Sequence, residues 1–185
     1  MRSLDNLRAY GWDLTLTDNV YKCGKIASTA GDVRAKAFHS LIEDKNIDVV
    51  LAACGGDMLM EMLDYLDYER ISASPKWIMG YSDITGLLLP ITLKCDIATV
   101  YGPNAGSFDM TELHPTLKSV FPLLEGRPQV QHSSKMHERH RVEGLDGYNL
   151  DTDTGHVKPM MPLVNGALTR LTVCGKGGTV EQSFS

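Results

Sequence analysis

Two short stretches combine residue types that could carry out acyl-transfer chemistry. The first is Trp77-Ile-Met-Gly80-Tyr81-Ser82-Asp83-Ile84-Thr85, where an apolar strand-like run turns at glycine into a helix-like one. A serine at such a strand-to-helix turn is pushed out of the sheet, with its Oγ exposed at the strand's carboxyl end. The helix start behind it offers free backbone N–H groups and a positive dipole end, which favour a developing oxyanion. The G-x-S-x-G pattern is not met in full, because Ile84 stands where the second glycine would be. On pattern alone Ser82 and Asp83 also suit helix N-caps, a role in which both residue types are favoured. The second stretch is Cys54-Gly55-Gly56-Asp57, directly after an apolar run. Paired glycines let a backbone approach a substrate closely and present an N–H to an oxyanion. The same pair also suits an ordinary tight turn.

The elements that must position these stretches alternate between helix-like and strand-like. Leu4, Leu7 and Tyr10 recur at helical spacing before Gly11, which ends that helix. Leu14 and Leu16 start a short extended segment. Asp32 can cap a second helix in which Val33, Ala37, Phe38, Leu41 and Ile42 share a face. Ile47 to Ala53 is a continuous apolar run, as expected for a parallel strand buried on both faces. Lys76 to Met79 and Ile97 to Val100 repeat that pattern. Ile84 to Leu93 reads as a helix in which Pro90 implies a kink or an early end. Strand, turn, helix, strand is the rhythm of an α/β fold, a parallel-sheet domain with crossover helices. In such a sheet both glycine-containing loops emerge at one edge, beyond the strands' carboxyl ends, where ligands of open α/β sheets bind.

Residues 1–110 therefore read as the α/β domain and 111–158 as a polar connector rich in turn signals. Residues 159–185 read as the start of an incomplete C-terminal domain, too short to bury a core of its own. The net charge is −5 with no clustered run of Lys or Arg, which argues against a nucleic-acid or anionic-membrane surface. No apolar run approaches membrane-spanning length, and the N-terminus lacks a signal-peptide pattern. Cys23, Cys54, Cys95 and Cys174 are scattered without a C-x-x-C pair, so they read as buried or free thiols in a reducing cytoplasm. His137-Glu138-Arg139-His140 is one residue short of the H-E-x-x-H zinc pattern, and Asp151-Thr-Asp153-Thr-Gly155 lacks two calcium-loop ligands. No metal and no cofactor is expected.

The order CGGD, LDYERI, PKWIMGYSDIT and TVYGP resembles the core of the LD-carboxypeptidase (murein tetrapeptide carboxypeptidase) family of serine peptidases, most densely between Val49 and Pro103. The family's cytoplasmic members trim the terminal D-alanine from murein tetrapeptides. A related branch, the microcin C self-immunity proteins, cleaves an amide in an aminoacyl-nucleotide analogue. The resemblance implies that Ser82 is the nucleophile. It also implies that the N–H of Asp83, with one from Gly55-Gly56, forms the oxyanion hole. The partner implied is a small peptide or peptidyl-nucleotide substrate, and because family members commonly pair, a homodimer is compatible with it. Many murein-trimming members carry an arginine before the paired glycines and an aromatic residue after them. Cys54 and Asp57 at those positions are closer to the immunity branch.

A serine hydroxyl needs a base, and the base an orienting group. The resemblance assigns these to a glutamate and a histidine of a C-terminal domain, and no residue of this chain matches either. By the same resemblance the chain opens inside the first helix, after the family's first strand. Three readings follow: a serine amidase, a truncated and inactive remnant, or a module that binds a peptide or nucleotide in the same cleft without cutting it.

Overall fold

The computed structural model describes residues 2–128, 130–131, 160–174 and 177–184. Three parallel strands carry the fold: β1 (Val49–Leu51), β2 (Trp77–Gly80) and β3 (Thr99–Tyr101), with β4 (Leu163–Asn165) added antiparallel beside β3. The sheet order is β1-β2-β3-β4, so the α/β reading with a parallel sheet agrees with the structure. β1 is shorter than its apolar run of residues 47–53, whereas β2 and β3 each extend one residue past theirs, to Gly80 and Tyr101.

Helices cover both faces. On one face α2 (Gly31–Glu43), α3 (Tyr68–Ala73) and α4 (Thr85–Cys95) bury Phe38, Ile42, Ile71, Leu88 and Ile91 against Val50 and Ile78. On the other, α1 (Arg2–Ala9), α5 (Pro115–Lys118) and α6 (Val120–Leu124) pack Leu7, Leu117, Val120 and Phe121 around Phe108, Met79 and Val100. Asn6 ties α1 to the loop beyond β3 by donating Nδ2 to the carbonyls of Phe108 and Met110 at 2.7 and 2.8 Å. The beginning of the polar segment, residues 111–128, thus contributes apolar residues to this second core. A hairpin of β5 (Leu168–Cys174) and β6 (Gly177–Ser183) follows β4. Gln182 joins it to β4 by bonding both the N–H and the carbonyl of Val164.

Leu14 and Leu16, read as a short extended segment, join no ladder among the described residues. Among the described residues the outer edge of β1 has no neighbouring strand, and a cavity of about 1230 Å³ is lined by residues of β1 and by residues 12–17. Three sequence expectations, two for α2 and one for α4, are corrected. Asp32 does not cap α2: Ala30 occupies the cap and no side chain bonds there. The buried face of α2 is Gly31, Ala35, Phe38, His39 and Ile42, with Val33 43% exposed, since the helix docks on the 3-10 segment Leu59–Tyr65. Pro90 does not end α4, which runs on through Cys95 to a left-handed cap at Asp96 (φ 55°). His132, His137, His140 and His156, with the zinc-like and calcium-like stretches, lie outside the described residues.

His39 is buried and its Nε2 accepts the N–H of Asp67, the residue whose carboxylate caps α3. Burial first, then the nearby Arg70 charge, holds the imidazole below its usual 6.5, against smaller opposing effects of Glu43 and Asp67. The folded state therefore binds this proton less readily than the unfolded chain. The His39 contribution to stability is present above about pH 6.5 and is lost as pH falls through the lowered folded value. Urea midpoints from pH 7.5 down to 5 should fall more steeply for the wild type than for His39→Leu. Parallel curves would show that His39 carries no such linkage.

Candidate active site

Three loops leave the carboxyl ends of β1, β2 and β3 and meet at one sheet edge. The backbone itself locks two of them together. Ala105 donates its N–H to the Ala52 carbonyl at 2.8 Å, and Gly106 to that of Ala53 at 3.2 Å. Gly102 donates to the Gly80 carbonyl at 3.0 Å, holding the β3 loop against the β2 turn as well.

Ser82 sits where β2 ends, in a 3-10 turn (Ser82–Ile84) that leads directly into α4. Its φ is +65°, one of two positive-φ non-glycine residues among those described. An L-residue in that region costs roughly 1–2 kcal/mol and persists only where its surroundings over-determine it. The helix-cap alternative for Ser82 and Asp83 does not describe this turn. Neither the 3-10 turn nor α4 is capped by a side chain, and the Asp83 carboxylate instead accepts the N–H of Leu59 at 2.8 Å. Asp83 thus braces the far end of the loop that begins at Cys54.

The tightness of the turn explains its glycine. A β-carbon on Gly80 would lie 2.7 Å from Ile84 Cγ2, 2.9 Å from Ala52 Cβ and 2.9 Å from Asn104 Oδ1. Ile84, which breaks the G-x-S-x-G pattern, therefore fills the space that the bare Gly80 leaves. Gly55 faces the serine in the same way: its β-carbon would lie 3.0 Å from Ser82 Cβ and 3.2 Å from Oγ. On Gly56 a β-carbon would approach Asp83 Oδ2 at 3.6 Å. Among the described residues the N–H groups of Gly55 and Gly56 have no protein acceptor. Ser82, Asp83, Gly55 and Gly56 are all brought together. A cleft of about 550 Å³ is lined by the Gly55-Gly56 loop and by residues 22–28.

The sequence of residues 1–102 matches the family model described as the LD-carboxypeptidase N-terminal domain, more than half of the chain. The chain belongs to the LD-carboxypeptidase family. A Treponema pallidum protein named "Putative carboxypeptidase" is 31% identical over 109 residues, covering 59% of this chain and 32% of that protein. The microcin C7 self-immunity protein MccF of Escherichia coli is 39% identical over 90 residues, 49% of this chain and 25% of its own. A solved structure of MccF in complex with aspartyl sulfamoyl adenosine superposes with a TM-score of 0.62 at 26% identity, over 91% of this chain and 50% of that one. Muramoyltetrapeptide carboxypeptidase of Oxalobacter formigenes, at 20% identity, TM-score 0.62 and coverage of 75% and 48%, shares the fold. This chain thus spans about a third or less of the curated relatives and about half of the solved structures.

Within this family member, Cys54 and Asp57 are exposed on the rim of the paired-glycine loop. Cys23, Cys54 and Cys95 are free thiols. Tyr101, at the end of β3 beside Gly80, is held as a neutral phenol: burial, then the neighbouring Tyr81, raises its pKa above 10.0. The histidines described are engaged elsewhere, His39 with Asp67 and His114 Nδ1 with the N–H of Thr116. Sequence reasoning missed Asn104, which is 4% exposed and bonds the turn. Its only sequence signal is an amide residue directly after Gly102-Pro103, where β3 ends. Among the described residues no helix is long and apolar enough to cross a membrane, and no cluster of metal-ligating side chains is found.

Proposed function

We propose that Ser82 is the nucleophile of a serine amidase that removes a terminal D-amino acid from murein tetrapeptides. The observation that carries this reading is the positive φ of Ser82 at a strand-to-helix turn, with Gly55 directly against its Oγ. Ser82 Oγ attacks the scissile carbonyl while a base takes its proton, and the carbonyl oxygen becomes an oxyanion. The N–H of Asp83 and one of the Gly55-Gly56 N–H groups receive that charge. Collapse of the intermediate expels the amine, which takes up the proton from the base. Water then hydrolyses the acyl-serine ester, releasing the shortened peptide and regenerating Ser82. The base and its orienting group are the histidine and glutamate that the family places in its C-terminal domain.

A second reading is an immunity-type amidase acting on an aminoacyl sulfamoyl nucleotide. Cys54 and Asp57 at the rim, and the ligand held by the MccF structure, support it. The protein expressed from its complete gene separates the two when given a murein tetrapeptide and, separately, aspartyl sulfamoyl adenosine. The first reading expects D-alanine release from the tetrapeptide at a kcat/KM at least about tenfold above that for the adenylate analogue. Cleavage of the adenylate analogue alone would establish the second reading and overturn the first.

A further inference from the structure

Asn104 borders the Ser82 turn from the β3 loop and is almost completely buried, at 4% exposure. Its Oδ1 accepts the N–H of Tyr81, the residue immediately before Ser82, at 3.1 Å. The same oxygen lies 2.9 Å from the β-carbon position of Gly80, and Nδ2 lies 3.7 Å from that of Gly55. One side chain therefore reaches the first two residues of the turn and the loop facing Ser82. Asn104 is itself fixed in place, since the next two residues donate their N–H groups to Ala52 and Ala53.

A residue at positive φ needs the backbone on both of its sides held. After Ser82 the chain is held by the Thr85 N–H, which bonds back to the carbonyls of Ser82 and Asp83, and by the Asp83 carboxylate on Leu59. Before Ser82 the Gly80–Tyr81 peptide unit is tied at both ends, its carbonyl by the Gly102 N–H and its N–H by Asn104, the one side chain among these ties. We propose that Asn104 is the positioning residue of this turn, holding the Tyr81 N–H so that Ser82 stays at positive φ with its Oγ against Gly55. The chemistry of the group fits that task. A buried acceptor beside a site where an oxyanion develops must be neutral, and an amide oxygen is a neutral acceptor where a carboxylate would repel the developing charge.

The proposal rests on Ser82 being the reactive residue, but its test reads the turn itself and so fails independently of hydrolysis. Amide exchange of Tyr81 and the backbone carbon shifts of Ser82 are measured in the wild type, Asn104→Ala and Asn104→Asp. In the alanine variant Tyr81 should exchange about tenfold faster or more. The Ser82 shifts should leave the left-handed range, while the amides of Ile78 and Val100 keep their protection. The aspartate variant retains an acceptor oxygen and should keep both Tyr81 protection and the Ser82 shifts. Unchanged Tyr81 exchange in the alanine variant would overturn the proposal. So would acceleration of Tyr81, Ile78 and Val100 together, which would make Asn104 a general stabiliser. Should the alanine variant not fold, a folded aspartate variant with an unprotected Tyr81 would overturn it, and a protected one would uphold it.

Discussion

Replacing Ser82 with alanine should lower amide hydrolysis by roughly 10⁴-fold or more, because loss of the nucleophile leaves only binding and oxyanion stabilisation. The companion variant Ser82→Gly should be equally inactive yet more stable than Ser82→Ala. Both lack the hydroxyl and differ only in the β-carbon, so their difference reports the backbone alone. At φ +65° alanine bears the steric cost of the left-handed region and glycine does not. Glycine should therefore be the more stable by about 1 kcal/mol in urea unfolding, after allowing for its greater unfolded-state entropy. At an ordinary helical φ the order reverses, with alanine ahead by about 1 kcal/mol. The sign of that difference decides whether Ser82 occupies a strained turn.

Gly80→Ala should damage stability and chemistry together. The added methyl meets three groups at 2.7–2.9 Å: the branch of Ile84, the β-carbon of Ala52 and the amide oxygen of Asn104. Ala52 cannot rotate away, since its β-carbon is fixed to the backbone, and Asn104 can yield only by releasing Tyr81. Overpacking of this kind costs about 1–3 kcal/mol, and the upper end is expected where three neighbours are hit at once. The relief available is to open the turn, which moves Ser82 Oγ away from Gly55. Hydrolysis should fall about a hundredfold or more, as misplacing a reactive group by about 1 Å commonly does. The double variant Gly80→Ala/Ile84→Ala should recover part of the stability, because the nearest contact is removed. No recovery would mean that Ile84 does not fill the space above Gly80.

The strand–turn–helix carrying Ser82 was legible because each part has a local signature: an apolar run, a glycine, a serine and a second apolar run. The pairing of its loop with Gly55-Gly56 was legible from topology, since parallel strands bring such loops to one edge. The strain at Ser82 was not. Its turn is held by Asn104 on Tyr81 and by Leu59 on Asp83, and Asn104 and Leu59 lie more than 20 residues away along the chain. Asn104 was invisible for the same reason, since an asparagine after Gly-Pro reads as a turn residue until the loops are brought together. The face of α2 was misread because apolar spacing favoured Val33, whereas docking on Leu59–Tyr65 buries His39, whose ring accepts a backbone N–H. Leu14 and Leu16 have the alternation of an extended segment, and among the described residues they join no ladder.

The most direct test of the account is to trap the acyl-serine. The protein expressed from its complete gene is mixed with murein tetrapeptide or aspartyl sulfamoyl adenosine, quenched in acid within milliseconds, digested and mapped by mass spectrometry. The account predicts an acyl adduct on the peptide containing Ser82, absent in Ser82→Ala. Turnover that persists in Ser82→Ala, or an adduct mapped to any other residue, would contradict it.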